Sequence, residues 1–493
     1  MAGKGPRMMT EEANMTAEQT CFLIDGKRID TGSLGVYDLI DPATEEKIAS
    51  VPRGGRVEAE DAARLAAIGF REWSAVAPIE RGRILRAAAT RMRDEIEDAA
   101  WEITREQGKP LAQARAEWLG AADAFDWFAE EARRAYGRII PSRAADMDWC
   151  VRKRPVGPVA AFTPWNFPAF TVAQKLAPAL AAGCSVVLKP AEETPSAAWR
   201  ICRSLLEVGL PPKALALIWG APAEISAALV AAPQIAKITL TGSTRVGRLL
   251  ASAAGERLKK TTMELGGHNP VIVARDADLG HAIQATAQWK FRNAGQVCIS
   301  PTRFLVDRSL YPDFVHGVAQ AAREIVVGKG TEPATQMGPM ATAGQRDKVE
   351  RLVEDAVQRG ARIEAGGTRI GNCGYFFAPT VLADVTPQMQ VMNEEPFGPL
   401  ALVAPVDDLD EALEEANRLP YGLAAYAFTT CRETERRIAG SIEAGMLGIN
   451  HFGLAVPETP FGGVHDSGMG SEGGIEGMDA YLTPFLISSR SPA

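Results

Sequence analysis

The fold is decided by Val156-Gly-Pro-Val-Ala-Ala-Phe162 and the runs that follow it: Ser185-Val-Val-Leu188, Ala216-Leu-Ile-Trp219, Ile235-Ala-Lys-Ile-Thr-Leu-Thr241 and Val271-Ile-Val-Ala274. Each is short and apolar, and segments of helical pattern lie between them. Strands at this rhythm need crossover connections, so the reading is an α/β fold with a parallel sheet covered by helices. In such a sheet ligands bind beyond the carboxyl ends of the strands. Chemically suggestive residues fall there: Asn166 after the first run, Lys189 and Glu192 after the second, and Gly242 after the fourth. Upstream, from about Val57 to Ala135, stretches such as Arg81 to Ala99 and Ala112 to Ala135 are rich in Ala, Leu, Glu and Arg and predict long amphipathic helices.

The chain has 493 residues, too many for one core. Its composition, 46% hydrophobic and 23% charged, is that of a soluble globular protein. No apolar stretch approaches the roughly 20 residues that span a bilayer. The most apolar region, Phe167 to Leu188, is broken by Gln174, Lys175, Pro178 and Gly183. A net charge of -8 argues against nucleic-acid partners. Seven scattered cysteines with no CxxC pair and no metal-ligand spacing point to reduced thiols in a cytoplasm and to no metal. Residues 1–20 carry no apolar core behind Lys4 and Arg7, so they are expected to be a disordered extension rather than a targeting signal.

Cys298 lies in Asn293-Ala-Gly-Gln-Val-Cys298. A thiolate is a strong nucleophile, although an isolated cysteine is more often a small buried apolar residue. In Met263-Glu-Leu-Gly-Gly-His268, Glu264 sits in an apolar segment whose desolvation raises a carboxyl toward the range of a general base. Asn166, in Phe162-Thr-Pro-Trp-Asn-Phe-Pro168, is a neutral donor between rigid neighbours, as an oxyanion hole requires. Lys189-Pro-Ala-Glu192 offers groups for ribose hydroxyls, and Glu192 repels a 2'-phosphate. Thr241-Gly-Ser-Thr-Arg-Val-Gly247 joins a strand to a helix whose N-terminus is suited to a pyrophosphate, though without GxGxxG spacing. Glu394-Glu-Pro-Phe-Gly-Pro399 and Thr459-Pro-Phe-Gly-Gly463 each set an aromatic beside flexible backbone.

In this order, from about residue 22 to 488, these segments resemble the aldehyde dehydrogenase superfamily. The resemblance implies that Cys298 is the nucleophile, that Asn166 and the Cys298 backbone N–H hold the oxyanion, and that Glu264 activates the water that hydrolyses the thioester. It also implies cofactor contacts from Thr163, Pro164, Trp165, Lys189, Glu192, Gly242, Ser243, Val246, Leu265, Glu395 and Phe397. With Glu192 acidic, NAD is expected over NADP. The implied architecture is a Rossmann-like cofactor domain (21–139 and 156–264), a catalytic domain (265–465) and an oligomerisation arm (140–155 and 466–493). The arm strands fall near Met147 to Arg154 and Ala480 to Ser489, and a homodimer or homotetramer is expected.

Lys290-Phe-Arg-Asn-Ala-Gly-Gln-Val-Cys298 and Gly468-Met-Gly-Ser-Glu-Gly-Gly474 look most like the succinate-semialdehyde dehydrogenase branch. There the arginine matching Arg292 contacts a distal carboxylate, a task suited to the guanidinium fork. Two departures stand against that: Gln174 replaces a second arginine, and Leu454-Ala-Val-Pro-Glu458 lacks the expected serine or asparagine. Phe170, Gln174, His451 and Phe452 are expected to shape the pocket and its entrance. A broader aliphatic or aromatic aldehyde dehydrogenase is the alternative. Glu264 argues against CoA acylation, and the presence of Cys298, Glu264 and Asn166 together argues against a non-catalytic homologue.

Overall fold

A computed structural model describes residues 21–490; the expected extension 1–20 lies outside the described residues. The first sheet has eight strands. Its centre is five parallel strands in the order Leu215–Leu217, Val186–Lys189, Val159–Phe162, Lys237–Thr241 and Lys260–Glu264. Every residue of the middle three is buried, which is why they read as unbroken apolar runs.

Four helices, α1 (Arg56–Ser74), α2 (Pro78–Asp94), α3 (Ile96–Gln107) and α4 (Leu111–Glu131), precede these five parallel strands. On α1 the buried side is Ala59, Ala62, Ala63, Ala66 and Trp73, and on α4 it is Ala114, Trp118, Ala121, Ala122, Phe125 and Ala129. That 3-and-4 spacing places one face of each helix inward. Helix α5 (Phe170–Ala182) crosses from the strand Val159–Phe162 to Val186–Lys189, is buried from Val172 to Ala182, and stops at the left-handed Gly183.

The second sheet has seven strands, ordered Arg362–Ala365, Thr380–Ala383, Leu400–Val406, Pro301–Asp307, Asn269–Val273, Ala424–Phe428 and Met446–Ile449. All neighbours are parallel except the first pair. The run read as Val271 to Ala274 thus belongs here and not with the four before it.

A separate antiparallel sheet joins Leu482–Arg490 to Met147–Pro155 along nine paired positions, with Arg138–Ile140 on the other side. Its limits differ from the sequence expectation. Residues 466–481 do not lie in this arm: Gly468–Met469 adds an antiparallel edge to Lys260–Glu264, and the helix Gly474–Asp479 packs on α5. A two-residue strand has no periodicity to read, so only its pairing reveals it. Among the described residues no helix is long and apolar enough to cross a membrane.

Candidate active site

A cavity of about 250 Å³ opens where the carboxyl ends of Lys237–Thr241 and Lys260–Glu264 meet the segment leading into Pro301–Asp307. It brings together Cys298, Glu264, Asn166, Arg292, Gln174 and Phe170.

Cys298 is delivered by a tight turn. Asn293 and Ala294 both have φ 51° and Gly295 has φ 70°, so three successive residues adopt the left-handed region. A Cβ on Gly295 would lie 2.0 Å from the Gly398 carbonyl oxygen, which makes glycine obligatory there. Asn269 Nδ2 donates to the carbonyls of Cys298 and Ser300, each at 2.8 Å, and fixes the backbone around the sulfur. The partly buried thiol is pushed well above its ordinary range by burial, then by the nearby Glu264 and Glu395 carboxylates.

Glu264 ends its strand opposite Thr241. Neither carboxylate oxygen has a hydrogen-bond partner among the described residues. Burial holds its pKa well above the carboxylate range, Glu472 adds to the rise, and Lys175 partly offsets it. Lys175 and Glu472 form a buried ion pair, and Glu472 itself lines the cavity.

Asn166 donates one N–H of its amide to the Gln296 carbonyl at 3.1 Å. Its other N–H donates to none of the described residues. Arg292 makes no hydrogen bond or ion pair with the described residues; its guanidinium carbon lies 5.6 Å from the Phe167 ring centroid and 5.4 Å from that of Trp289. Burial lowers its pKa and the Glu117 carboxylate raises it. Phe170 and Gln174 enter from the first turns of α5.

Phe452 is not where the sequence reading put it. It is buried in the second core, edge-on to Tyr426 at 4.7 Å and to Phe428 at 5.3 Å. The neighbouring Gly453, Ala455 and Val456 line the cavity instead. An aromatic in an irregular segment gives no local sign of which side it faces, and the larger apolar surface went to the core.

Beyond the cavity lie the residues expected to hold a cofactor. Lys189 Nζ is 2.6 Å from Glu192 Oε1, which also accepts from the Gly220 N–H at 3.2 Å. Ser243 caps the helix Thr244–Gly255 by accepting from the Val246 N–H at 3.4 Å, and Gly242 N–H donates to the Glu264 carbonyl. Leu265 N–H donates to the Ser467 carbonyl. The residues Thr163-Pro164-Trp165 follow the strand Val159–Phe162; Thr163 Oγ1 is buried without a partner, and Trp165 meets Phe397 edge-on at 5.5 Å. Phe397 has φ 49°, and its loop is held by Gln345 Nε2 donating to the Pro396 and Phe397 carbonyls. Glu395 accepts from the Gly267 N–H at 3.3 Å, and burial pushes its pKa up to about 7.

Sequence reasoning passed over Lys109, Glu117, Trp289 and the Lys175–Glu472 pair. Lys175 and Glu117 did carry a signal, a charge inside an otherwise apolar helix face.

A thiol, a buried carboxylate and an amide donor thus meet at the carboxyl edge of a parallel, helix-covered sheet. Residues 29–485 match the aldehyde dehydrogenase family, and the chain belongs to it. It is an enzyme that acts on the aldehyde group of small molecules with NAD(P). It is 48% identical over 449 residues, 90% of this chain and 93% of the relative, to 4-(hydroxymethyl)benzenesulfonate dehydrogenase of Comamonas testosteroni. It is 40% identical to 3-sulfolactaldehyde dehydrogenase of Pseudomonas putida, over 97% of each chain. The structure of succinate-semialdehyde dehydrogenase from Burkholderia pseudomallei superposes with a TM-score of 0.95 at 37% identity, covering 98% of this chain and all of that one.

Proposed function

We propose that the enzyme oxidises an aldehyde bearing a distal anionic group, with NAD as its cofactor. The observation that carries this is the unpaired Arg292 guanidinium in the wall of the Cys298 cavity. The nearby Glu117 carboxylate is already paired with Lys109, so a ligand anion can complete the charge balance of this half-buried cation. Succinate semialdehyde fits this reading. A second is favoured by the walls: Phe167, Phe170, Trp289 and Phe461 surround the cavity, and the neutral Gln174 faces it. An aromatic aldehyde with a sulfonate or carboxylate on the ring suits those walls equally; the names of two similar dehydrogenases support a sulfonate, and one of them, the benzenesulfonate enzyme, supports the ring.

The residues present fit a dinucleotide: Thr163 Oγ1 is an orphaned buried hydroxyl, and the Lys189–Glu192 pair offers both a donor and an acceptor to ribose hydroxyls. Lys189 and Glu192 would hold the adenosine ribose, Gly242, Ser243 and Val246 the pyrophosphate, Leu265 and the 163–165 segment the inner part, and Glu395 and Phe397 the nicotinamide end. When bound, the cofactor supplies the hydride acceptor. With Glu192 at that ribose, its carboxylate would repel the 2'-phosphate of NADP, which favours NAD. Substituting Glu192→Gln is expected to raise kcat/KM with NADP relative to NAD; an unchanged ratio would remove Glu192 as the selector.

The Cys298 thiol, held protonated by its burial, gives its proton to solvent water as its sulfur bonds to the aldehyde carbon, and the new oxyanion is received by Asn166 Nδ2 and the Cys298 N–H. After oxidation the acyl group remains on Cys298 as a thioester. Glu264 then takes a proton from water, the hydroxide oxygen bonds to the acyl carbon, and the C–S bond breaks to release the carboxylic acid and the thiolate.

The test compares kcat/KM for succinate semialdehyde, 4-formylbenzenesulfonate and benzaldehyde in wild type and Arg292→Ala. Selective loss of about 10- to 100-fold for the anionic substrates supports the reading, matching the 1.5–3 kcal/mol of a charged hydrogen bond. Equal effects on all three would favour a broad-specificity enzyme.

A further inference from the structure

Gly108-Lys109-Pro110 links α3 to α4, and Lys109 turns inward from it. Its side chain is 1% exposed, and that of its ion-pair partner Glu117 on α4 is fully buried. Neither has a role in the chemistry above. Lys109 Nζ donates to the Asn166 carbonyl at 2.7 Å and lies 4.2 Å from the centroid of the Phe167 ring. Glu117 Oε1 accepts from the backbone N–H groups of Ala169 at 2.8 Å and Phe170 at 3.3 Å.

The pair therefore grips both sides of the segment between the strand Val159–Phe162 and α5. That segment lacks the means to hold itself, since Pro164 and Pro168 have no N–H and no ladder runs through it. A buried ion pair contributes little net stability, because desolvation offsets the attraction. What it does contribute is a fixed geometry. Asn293 closes the frame: its Nδ2 donates to the Asn166 carbonyl at 3.0 Å and to the Gln296 carbonyl at 3.2 Å, and Gln296 is the same group that holds the Asn166 amide.

We propose that the Lys109–Glu117 pair is a positioning device for the oxyanion hole, clamping the Asn166 backbone so that its free amide N–H meets the developing oxyanion. This rests on the reading of Asn166 as the oxyanion donor. A donor misplaced by a fraction of an ångström loses most of its value in the transition state while ground-state binding is little changed.

The experiment is a double-mutant cycle on the full-length enzyme, with Lys109→Met, Asn166→Ala and the two combined, assayed with the best substrate of the panel above. Lys109→Met is expected to lower kcat about 10- to 100-fold with KM within about threefold, a fraction of the loss seen when an oxyanion donor is removed. In the Asn166→Ala background it is expected to have no further effect, the signature of two residues acting through one. The rate of Cys298 alkylation by iodoacetamide, which forms no oxyanion, is expected to stay within about twofold in all variants. Should Lys109→Met fail to fold, Lys109→Met/Glu117→Gln removes both charges together and serves in the same cycle. Losses that multiply across the cycle, or no loss from the Lys109 substitution, would overturn the proposal as a structural role only. A fully active Asn166→Ala would instead overturn the oxyanion reading itself, and the positioning role with it.

Discussion

Glu264 concentrates the argument at the scale of single residues. Its carboxyl is buried with no hydrogen-bond partner among the described residues and its pKa is held well above the ordinary range, so the base form appears only as pH rises through that raised value. Hydrolysis of the acyl-enzyme is therefore expected to accelerate with pH across that window. In Glu264→Gln, pre-steady-state kinetics with excess aldehyde should show one burst of NADH per Cys298 and then steady turnover reduced by about 10²- to 10⁴-fold, the usual worth of a general base. Normal steady turnover after the burst would assign the base elsewhere. The same residue is expected to cost stability. The native state keeps the proton that the unfolded chain loses near its ordinary pKa, so stability falls as pH rises from there to the folded pKa. Glu264→Gln should accordingly raise Tm at neutral pH, by an amount that shrinks below about pH 4.3, where the unfolded carboxyl is also protonated. A lower Tm at neutral pH would contradict the burial argument.

Among elements, the turn Arg292–Gly295 has the most to lose. It presents Arg292 to the cavity, Asn293 to the oxyanion frame and Cys298 just beyond, and it does so through three left-handed residues packed on Gly398. Gly295→Ala puts a methyl 2.0 Å from the Gly398 carbonyl oxygen, in the loop that also carries Glu395 and Phe397. The expected result is a fall of about 100-fold in kcat/KM, since a shift of about 1 Å in reacting groups has that effect, together with a lower Tm; wild-type kinetics would show that the two loops are independent. This turn was legible only as a motif. The parallel strands Val159–Phe162, Val186–Lys189 and Lys237–Thr241 could be read directly, because strands buried on both faces have no polar residue to break the run. The site residues just past them were legible for the same reason, as the ends of those runs. Lys175 with Glu472, and Lys109 with Asn166, could not be paired by reading, because partners 297 and 57 positions apart leave no mark on each other's neighbourhoods. Phe452 was misread because nothing local distinguishes a side chain facing the core from one facing the cavity.

At the scale of the whole molecule the unanswered surface is the arm. The strand Leu482–Arg490 pairs with Met147–Pro155 on one side only, so nine residues present a free edge. Phe485 and Leu486 are exposed on it, and Ile139 on the far strand is 85% exposed. Arg154 covers the Phe485 ring from its own chain, yet Leu486 and Ile139 have no such cover. Natural sheets rarely leave a long apolar edge bare, because it templates pairing with another chain. A second copy of this chain, whose arm has the same length and pattern, is the expected occupant, and the arm would then seat a homodimer or homotetramer. Ile139→Asp/Leu486→Asp is the direct check, with mass measured by light scattering after size exclusion. The substituted protein is expected to shift toward the monomer mass of 52.7 kDa with its cavity chemistry retained, since neither residue lines the Cys298 cavity. An unchanged assembly would mean that the free edge is covered by something other than a second copy, or that the subunits meet on another face.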